Sequence, residues 1–490
     1  AAADRPVLIR RTERLVINMS TARSIGRWPD WSTMAEAQLV AVERTAVKRN
    51  LTLREAARTA VERNLDYLAN VSEVDAGQKN IALARARLFP QLGLGANGTI
   101  IDSDRTGSVA NQGQTQIVGT LTAQQALYTE SIYADLEVAK RLQASTVLQR
   151  EALRLDVLAQ VTSAYLDVLR TLTLERIRKE NLRVTRSNRE LAVVRRQVGV
   201  AGPSEVYRWD SQRATEQAQV IEAIAARNAA EIELNRVLDA PLEEPFDIRE
   251  ADLSNPSTLL PRAIWRASLE NPYAFRIFRR FMVEVGLEAS PELRAVDEVI
   301  SATERQRTAA QRSWWLPDFT LQAQAQQILA QGGAGSGQPP DMVRGLGIPI
   351  PDDTSWSASI VASYPLFTGL QRLARVEQAS AELQQQQVER RALAQRIEQR
   401  IRAALHFAGS GYANIGLSKE AAEAANENLE VVQDAYGRGS LGYLELLDAQ
   451  EQALVARQVA ANAVYDFLGD LVQVQRAASR FMMLDDAGAQ

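Results

Sequence analysis

Residues 130–197 and 368–435 are each about 68 residues long, and neither contains a proline. As α-helices they extend on the order of 100 Å, at about 1.5 Å per residue. Helices of that length exceed the ordinary globular range and imply coiled-coil packing. Their faces carry Ala, Val, Leu and Gln rather than a solid apolar stripe. Such weakly amphipathic helices need neighbours on two sides, as in a bundle or a wall of helices.

The two stretches belong to an internal duplication. The junction "RARLFPQLGLGA" (85–96) recurs as "QRSWWLPDFTLQAQ" (311–324), at a shift of 227. "QALYTE" (125–130) recurs as "YPLFTG" (364–369) at a shift of 239, and "VGVAGPSEVYRWDSQ" (198–212) as "YGRGSLGYLELLDAQ" (436–450) at 238. The second copy thus carries about 12 extra residues between its strands, including the loop-like "GGAGSGQPP". Each copy reads helix, strand, loop, strand, very long helix, tight break, helix. An extension covers 1–51. Repeat one covers 52–238, with strands at about 90–101 and 115–127, the long helix 130–197 and a helix 204–238. A proline-rich, irregular linker follows over 239–285. Repeat two covers 286–480, with strands at about 317–328 and 355–366, the long helix 368–435 and a helix 442–480, before a tail at 481–490. The opening "AAADRPVL" reads as a processed or trimmed N-terminus.

Composition narrows the chemistry. The 490 residues carry a formal net charge of -4, which gives no case for nucleic acid. No cysteine is present, which removes disulfides, thiolate metal sites and cysteine nucleophiles. The single histidine, His406, lies in the helical pattern "RAALHFAG" and reads as a packed or half-exposed helix residue. No Walker loop, Rossmann fingerprint or nucleophile elbow occurs. The expectation is a non-enzyme without metal or cofactor. No run of 18 apolar residues exists, so no transmembrane helix is expected.

The four strands alternate with period two. Leu92, Leu94, Ala96 and Ile100 oppose Gln91, Gly93, Gly95, Asn97 and Thr99. Ile117, Gly119, Leu121 and Ala123 oppose Gln116, Val118, Thr120, Thr122 and Gln124. Phe319, Leu321, Ala323 and Ala325 oppose Thr320, Gln322, Gln324 and Gln326, and Trp356, Ala358, Ile360, Ala362 and Tyr364 oppose Ser357, Ser359, Val361 and Ser363. The polar faces hold amides, hydroxyls and glycine with almost no charge, like a lumen lining. A length of about 9–11 residues spans a bilayer when tilted. Phe89, Tyr128, Trp314, Trp315, Trp356, Tyr364 and Phe367 gather at the strand ends, where an interface girdle belongs. Ordinary packing at a helix–sheet junction is the alternative for these aromatics. Four strands cannot close a barrel, and an open edge in lipid leaves backbone groups unsatisfied. Two chains would give an eight-stranded barrel filled by its own side chains, whereas three would leave a channel.

"ARARLFPQLGLGA" and "SYPLFTGLQRLARVEQASAEL" resemble the helix-to-strand and strand-to-helix signatures of the TolC-like outer-membrane efflux family. The resemblance covers about residues 52–480 and includes the duplication. The extra N-terminal segment and an enlarged region around 256–290 depart from it. The resemblance implies a mainly α protein with a small β part: a homotrimeric channel-tunnel. Three chains would give a 12-stranded barrel in outer-membrane lipid, continued by a periplasmic α-helical barrel, with four strands from each chain. A periplasmic adaptor and an inner-membrane pump would open the far end, making the protein a passive exit duct. Type I protein secretion uses the same kind of duct and stays open as an alternative, as does a coiled-coil scaffold.

The breaks after the long helices mark the tips: Gly199, Gly202, Pro203 and Ser204 in copy one, and Gly437, Arg438, Gly439, Ser440, Leu441 and Gly442 in copy two. Glycine permits a sharp reversal, and Ser204 is positioned to cap the next helix. The resemblance adds adaptor docking there. Glu445 and Asp448 lie i, i+3 on one helical face. By spacing they are a solvated carboxylate pair. By resemblance they ring the aperture, with Tyr207 and Asp210 at the matching copy-one positions. A row of Glu420, Glu423, Glu427, Glu430 and Asp434 occupies one arc of the second long helix. At the 238 shift Glu427 matches Arg189 and Asp434 matches Arg196, opposite charges that suggest pairing between copies.

Overall fold

In the computed structural model the first proline-free stretch is one unbroken helix with the expected bounds, and the second begins three residues later than expected. The structure describes residues 15–30, 33–34, 37–40, 49–106, 113–248, 268, 271–336 and 352–481. Much of the extension, the stretch 249–270 apart from Ser268, the later part of the "GGAGSGQPP" loop and the tail beyond Phe481 lie outside the described residues. In chain order the elements are β1 (Val16–Asn18), α1 (Met19–Ser24), β2 (Gln38–Val40), β3 (Arg49–Leu51), α2 (Leu53–Arg63), α3 (Leu65–Ala86), β4 (Gln91–Ile100) and β5 (Thr115–Tyr128). Then come α4 (Glu130–Gln197), α5 (Pro203–Val237), β6 (Phe246–Ile248), α6 (Pro272–Ala289), α7 (Pro291–Arg312), β7 (Asp318–Gly332), β8 (Thr354–Ser363), α8 (Gln371–Gly437) and α9 (Tyr443–Ala477). They divide into two compact units, one built from 70–151 and 291–394 and the other from the rest.

The first unit holds a four-stranded antiparallel sheet in the order β4-β5-β7-β8. Its register aligns the faces read from the sequence. Leu94, Leu121, Ala325 and Trp356 form one row across the sheet, and Gly93, Thr122, Gln324 and Ser357 form the adjacent row on the other face. The helix ahead of β4 stops at Ala86, and Pro90 holds the chain extended into the strand. Gly93 leaves room for a neighbour: a Cβ there would come within 2.9 Å of the Thr122 hydroxyl.

Beneath the sheet, Glu130 at the start of α4 is a buried hub. The Tyr128 hydroxyl donates to its Oε2 at 2.9 Å, and Arg305 and Arg312 of α7 donate to Oε1 at 2.8 and 3.4 Å. Burial alone would push this carboxyl up. The phenol and the two guanidinium groups outweigh it and hold Glu130 below its ordinary value. Copy two has Gly369 at the matching junction. There Gly369 and Leu370 both take positive φ, 59° and 66°, and this left-handed pair delays the start of α8 from 368 to Gln371.

In the second unit, β3 pairs with β6 in parallel, so residues 49–51 and 246–248 are strands rather than plain extension and irregular linker. The linker is corrected further by α6. Its "ENPY" reads as a break, yet Asn271 caps the helix through bonds from Tyr273 N at 2.9 Å and Ala274 N at 3.4 Å, and Pro272 occupies the first helical position, where its missing N–H is no loss. Each copy therefore opens with a divided helix, α2–α3 broken at Asn64 and α6–α7 broken at Ser290, and repeat two begins by 272 rather than 286. Both break residues are buried, and Asn64 donates to the Val237 carbonyl at 3.1 Å.

Replacing Glu130 with Ala should lower stability by about 1.5–3 kcal/mol, the scale of hydrogen bonds to a charged group. Because its pKa is depressed in the fold, the Glu130 contribution is fully present above the free-carboxylate value of 4.5. It is lost as the pH falls through the lower folded value. Thermal unfolding of parent and Glu130→Ala followed by circular dichroism should therefore converge in acid.

Candidate functional site: the paired helix tips

Both tips are built the same way. Gly199 has φ +80° and Gly439 has φ +81°. The amide of Gly199 donates to the Arg196 carbonyl at 3.1 Å and that of Val200 to the Arg195 carbonyl at 2.9 Å. The amides of Gly439 and Ser440 donate in the same pattern to the carbonyls of Tyr436 and Ala435, each at 3.0 Å. This double bond closes a helix C-terminus on a left-handed glycine. The chain re-enters a helix with Gly202 and Gly442 as N-caps, neither using a side chain. Ser204 is therefore not the cap. Pro203 fills the first helical position, so the helix starts before Ser204 can adopt the extended backbone a cap needs.

These equivalences correct the internal alignment. Gly199 to Gly439, Gly202 to Gly442 and the 35-residue helices α5 and α9 all superpose at a shift of 240, not 238. The sequence match keyed on the shared Asp–x–Gln of 210–212 and 448–450. The added residue arises at the Gly369–Leu370 junction, since α8 at 67 residues is no longer than α4 at 68. At the corrected shift, Glu445 corresponds to Glu205 and Asp448 to Arg208, rather than to Tyr207 and Asp210. Arg189 then corresponds to Leu429 and Arg196 to Tyr436, so the opposition of charge with Glu427 and Asp434 at equivalent positions disappears. Within the chain, Arg189 pairs with Asp210 at 2.5 Å, and Asp434 pairs with Arg438 one turn away. Arg196 and Glu427 are exposed.

The two tips share one core. Ala192 of α4, Val206 and Trp209 of α5, Leu429 and Tyr436 of α8, and Leu446, Ala449 and Ala453 of α9 are buried together. One polar cluster closes it, with Arg195 and Tyr436 buried and Glu205 half-buried. The Arg195 guanidinium lies 4.1 Å from the Tyr436 ring centre, pairs with Glu205 at 3.5 Å and donates to the Tyr436 carbonyl. The Tyr436 hydroxyl donates to Glu205. Burial, and then the Glu205 carboxylate, push the Tyr436 phenol well above its ordinary value, so it stays a neutral donor. Arg208 lies 4.6 Å from the Tyr443 ring centre. Sequence reasoning missed this cluster because Arg195, Glu205 and Tyr436 come from three helices and show no local spacing.

Glu445 and Asp448 are both exposed at the start of α9. Glu445 sits in the first turn, where the unsatisfied N–H groups favour a carboxylate. Asp448 accepts from the Gln452 amide at 2.7 Å. Asp210, by contrast, is half-buried and neutralised by Arg189.

At the sheet, the apolar face is open to its surroundings: Leu94 is 86 % and Trp356 79 % exposed. Phe89, Trp314, Trp315, Tyr364 and Phe367 sit around the helix end of the sheet, where the Tyr364 hydroxyl donates to the Trp314 carbonyl at 2.8 Å. Tyr128 is at the same end but turns to Glu130, and Trp356 is near the loop end. No described helix is long and apolar enough to cross a membrane.

Residues 56–239 and 283–480 match the family described as Outer membrane efflux protein. The chain belongs to that family. The match divides where the duplication divides. Among curated proteins, the chain is similar to the outer membrane efflux protein BepC of Brucella suis, 25% identical over 349 residues, which are 70% of this chain and 68% of BepC. Among solved structures it is similar to a membrane protein from Pseudomonas aeruginosa, with a TM-score of 0.71 at 16% identity over 87% of this chain and 92% of the other. It is also similar to the Neisseria gonorrhoeae outer membrane channel MtrE in its open state, with a TM-score of 0.65 at 19% identity over 88% and 89% of the two chains. At these identities the structures speak for the fold, and the family match places this outer-membrane efflux protein in its compartment.

Replacing Arg195 with Ala leaves the half-buried Glu205 without its guanidinium partner, and losing a hydrogen bond to a charged group costs about 1.5–3 kcal/mol. Amide hydrogen exchange should accelerate in both tips together, since the cluster belongs to both.

Proposed function

We propose that three copies of this chain form the outer-membrane exit duct of a tripartite efflux system. The observation that carries the reading is the four-stranded sheet, which bears an exposed apolar face, an uncharged polar face and, within the described chain, a single partner for each edge strand, β4 and β8. In hydrocarbon such edges must be paired, so β8 of one copy meets β4 of the next until the barrel closes. The apolar face then meets lipid, with the aromatic residues at the interfaces. Gln91, Gln124, Gln322 and Ser359 form one lumen row, and Gly93, Thr122, Gln324 and Ser357 the next. The strands contain one charged residue, Asp318, so the barrel wall exerts little selection by charge.

The tips form the periplasmic end, where the adaptor docks against the turns at Gly199–Ser204 and Gly437–Gly442 and the pump supplies energy. Glu445 and Asp448 line the aperture. Exposed carboxylates in a ring favour cations, and Asp210 contributes little because Arg189 answers it. Leu417, Val431, Leu444, Val455 and Val459 are exposed apolar residues on α8 and α9, which supports a neighbouring copy packing on copy two. The row Glu420, Glu423, Glu427, Glu430 and Asp434 faces outward beside them. Pairing of that row with Arg196 of a neighbouring copy is part of this proposal, each exposed pair contributing roughly 0–1 kcal/mol.

Purification in detergent should yield a trimer with a mixed helix and strand spectrum. A water-soluble monomer almost without strand would overturn the duct. In planar bilayers, Glu445→Gln with Asp448→Asn should raise conductance and weaken cation preference. Gln324→Lys, on the barrel wall, should move the reversal potential toward anions, and Leu94→Lys should instead impair insertion.

A further inference from the structure

The second unit contains a buried polar network that joins all four of its long helical segments, and the tip chemistry does not use it. Glu216 of α5 is 3 % exposed and Gln450 of α9 is 1 % exposed. The Thr185 hydroxyl of α4 donates to Glu216 Oε2 at 2.6 Å. Gln212 and Gln450 donate their amides to Glu216 Oε1 at 3.0 and 3.3 Å. The Gln450 amide also donates to Asn181 Oδ1 at 3.2 Å and to the Thr185 hydroxyl. Asn188 donates to Gln450 Oε1 at 2.9 Å and accepts from Gln433 of α8 at 3.3 Å. Burial pushes the Glu216 carboxyl up in spite of these bonds, so the site is a costly place for it.

The helical plan does not demand this network. At the 240 shift, the copy-two counterparts of Asn181, Thr185 and Glu216 are Ala421, Ala425 and Ala456. The same positions of the same plan are therefore filled by alanine in the other copy. What the network adds is register. Apolar side chains such as those of Leu182 and Val220 nearby can meet several partners as two helices slide. The network's donors and acceptors meet in one alignment only. A slip of one helical turn, about 5.4 Å, would orphan most of them in a buried site.

We propose that Glu216 and Gln450 are positioning residues that pin the copy-two hairpin in register with the copy-one hairpin. Gln450 lies two residues beyond Asp448, on the same helix as Glu445. The pin therefore fixes the level at which both carboxylates are presented relative to the copy-one tip. The link to the aperture rests on the duct reading above. The register itself does not.

The absence of cysteine makes a direct test possible. Spin labels at Val194→Cys on α4 and Asn428→Cys on α8, both exposed positions, report the offset of the two hairpins. Labelled chain diluted into unlabelled chain isolates the distance within one protomer. The parent should give one narrow distance, and Glu216→Gln, which keeps the shape and an acceptor, should preserve it. Glu216→Leu with Gln450→Leu should add a second distance population, and in bilayers should give several closed-state leak levels in place of one. If the double variant does not assemble, Thr185→Val carries the same test, because it removes one hydroxyl from the network without changing its volume. A single unchanged distance in the Leu variants or in Thr185→Val overturns the pin. A parent that gives one narrow distance but never conducts instead overturns the duct and leaves the pin standing.

Discussion

A sheet in hydrocarbon cannot keep a free edge, because no water is there to bond the exposed N–H and C=O groups. Much of the proposed assembly follows from that constraint. Among the described residues one chain supplies β4-β5-β7-β8, with a single strand partner for each of β4 and β8. In the proposed assembly closure comes from further copies, and the helices that follow β5 and β8 are carried into a ring by the same symmetry. The duplication serves the constraint twice, since each copy contributes one hairpin's worth of strands and one long helix. Glu130, Arg305 and Arg312 fasten the two copies directly below the sheet, and Arg195, Glu205 and Tyr436 fasten them at the tips.

The fold was legible where a single local signal decides it. Proline-free length announced α4 and α8, and alternation announced the four strands, whose register lines up the residues grouped on each face. It was illegible where a residue's role depends on its neighbour in space. Ser204 looks like a cap, but Pro203 pre-empts it. "ENPY" looks like a break, but Asn271 and Pro272 start a helix. The offset of 238 came from matching side chains, whereas the left-handed glycines at 199 and 439 set the true offset of 240. Two residues are about 200° of helical rotation, enough to move a charge to the opposite face. The apparent charge opposition between copies came from that rotation.

The candidate site divides in the same way. Glu445 and Asp448 are exposed on the first turns of α9. Asp210 does not share their state, because Arg189 on the preceding helix neutralises it. The two hairpins thus share turn geometry and the length of the following helix but differ in electrostatics. In the proposed trimer, a wall that is close to sixfold in shape would carry a threefold pattern of charge.

The scarcity of charge in the strands has a cost before the barrel exists. Soluble sheets protect their edges with lysine, glutamate or proline, which discourage pairing with the wrong chain. These strands carry a single charge, Asp318 at the end of β7, and β4 contains Gly93, Gly95 and Gly98 with an apolar face turned outward. In the proposed assembly, such a sheet is a template for wrong pairing until further copies and lipid cover it, so the strands rather than the helices are where a lone chain is most prone to aggregate.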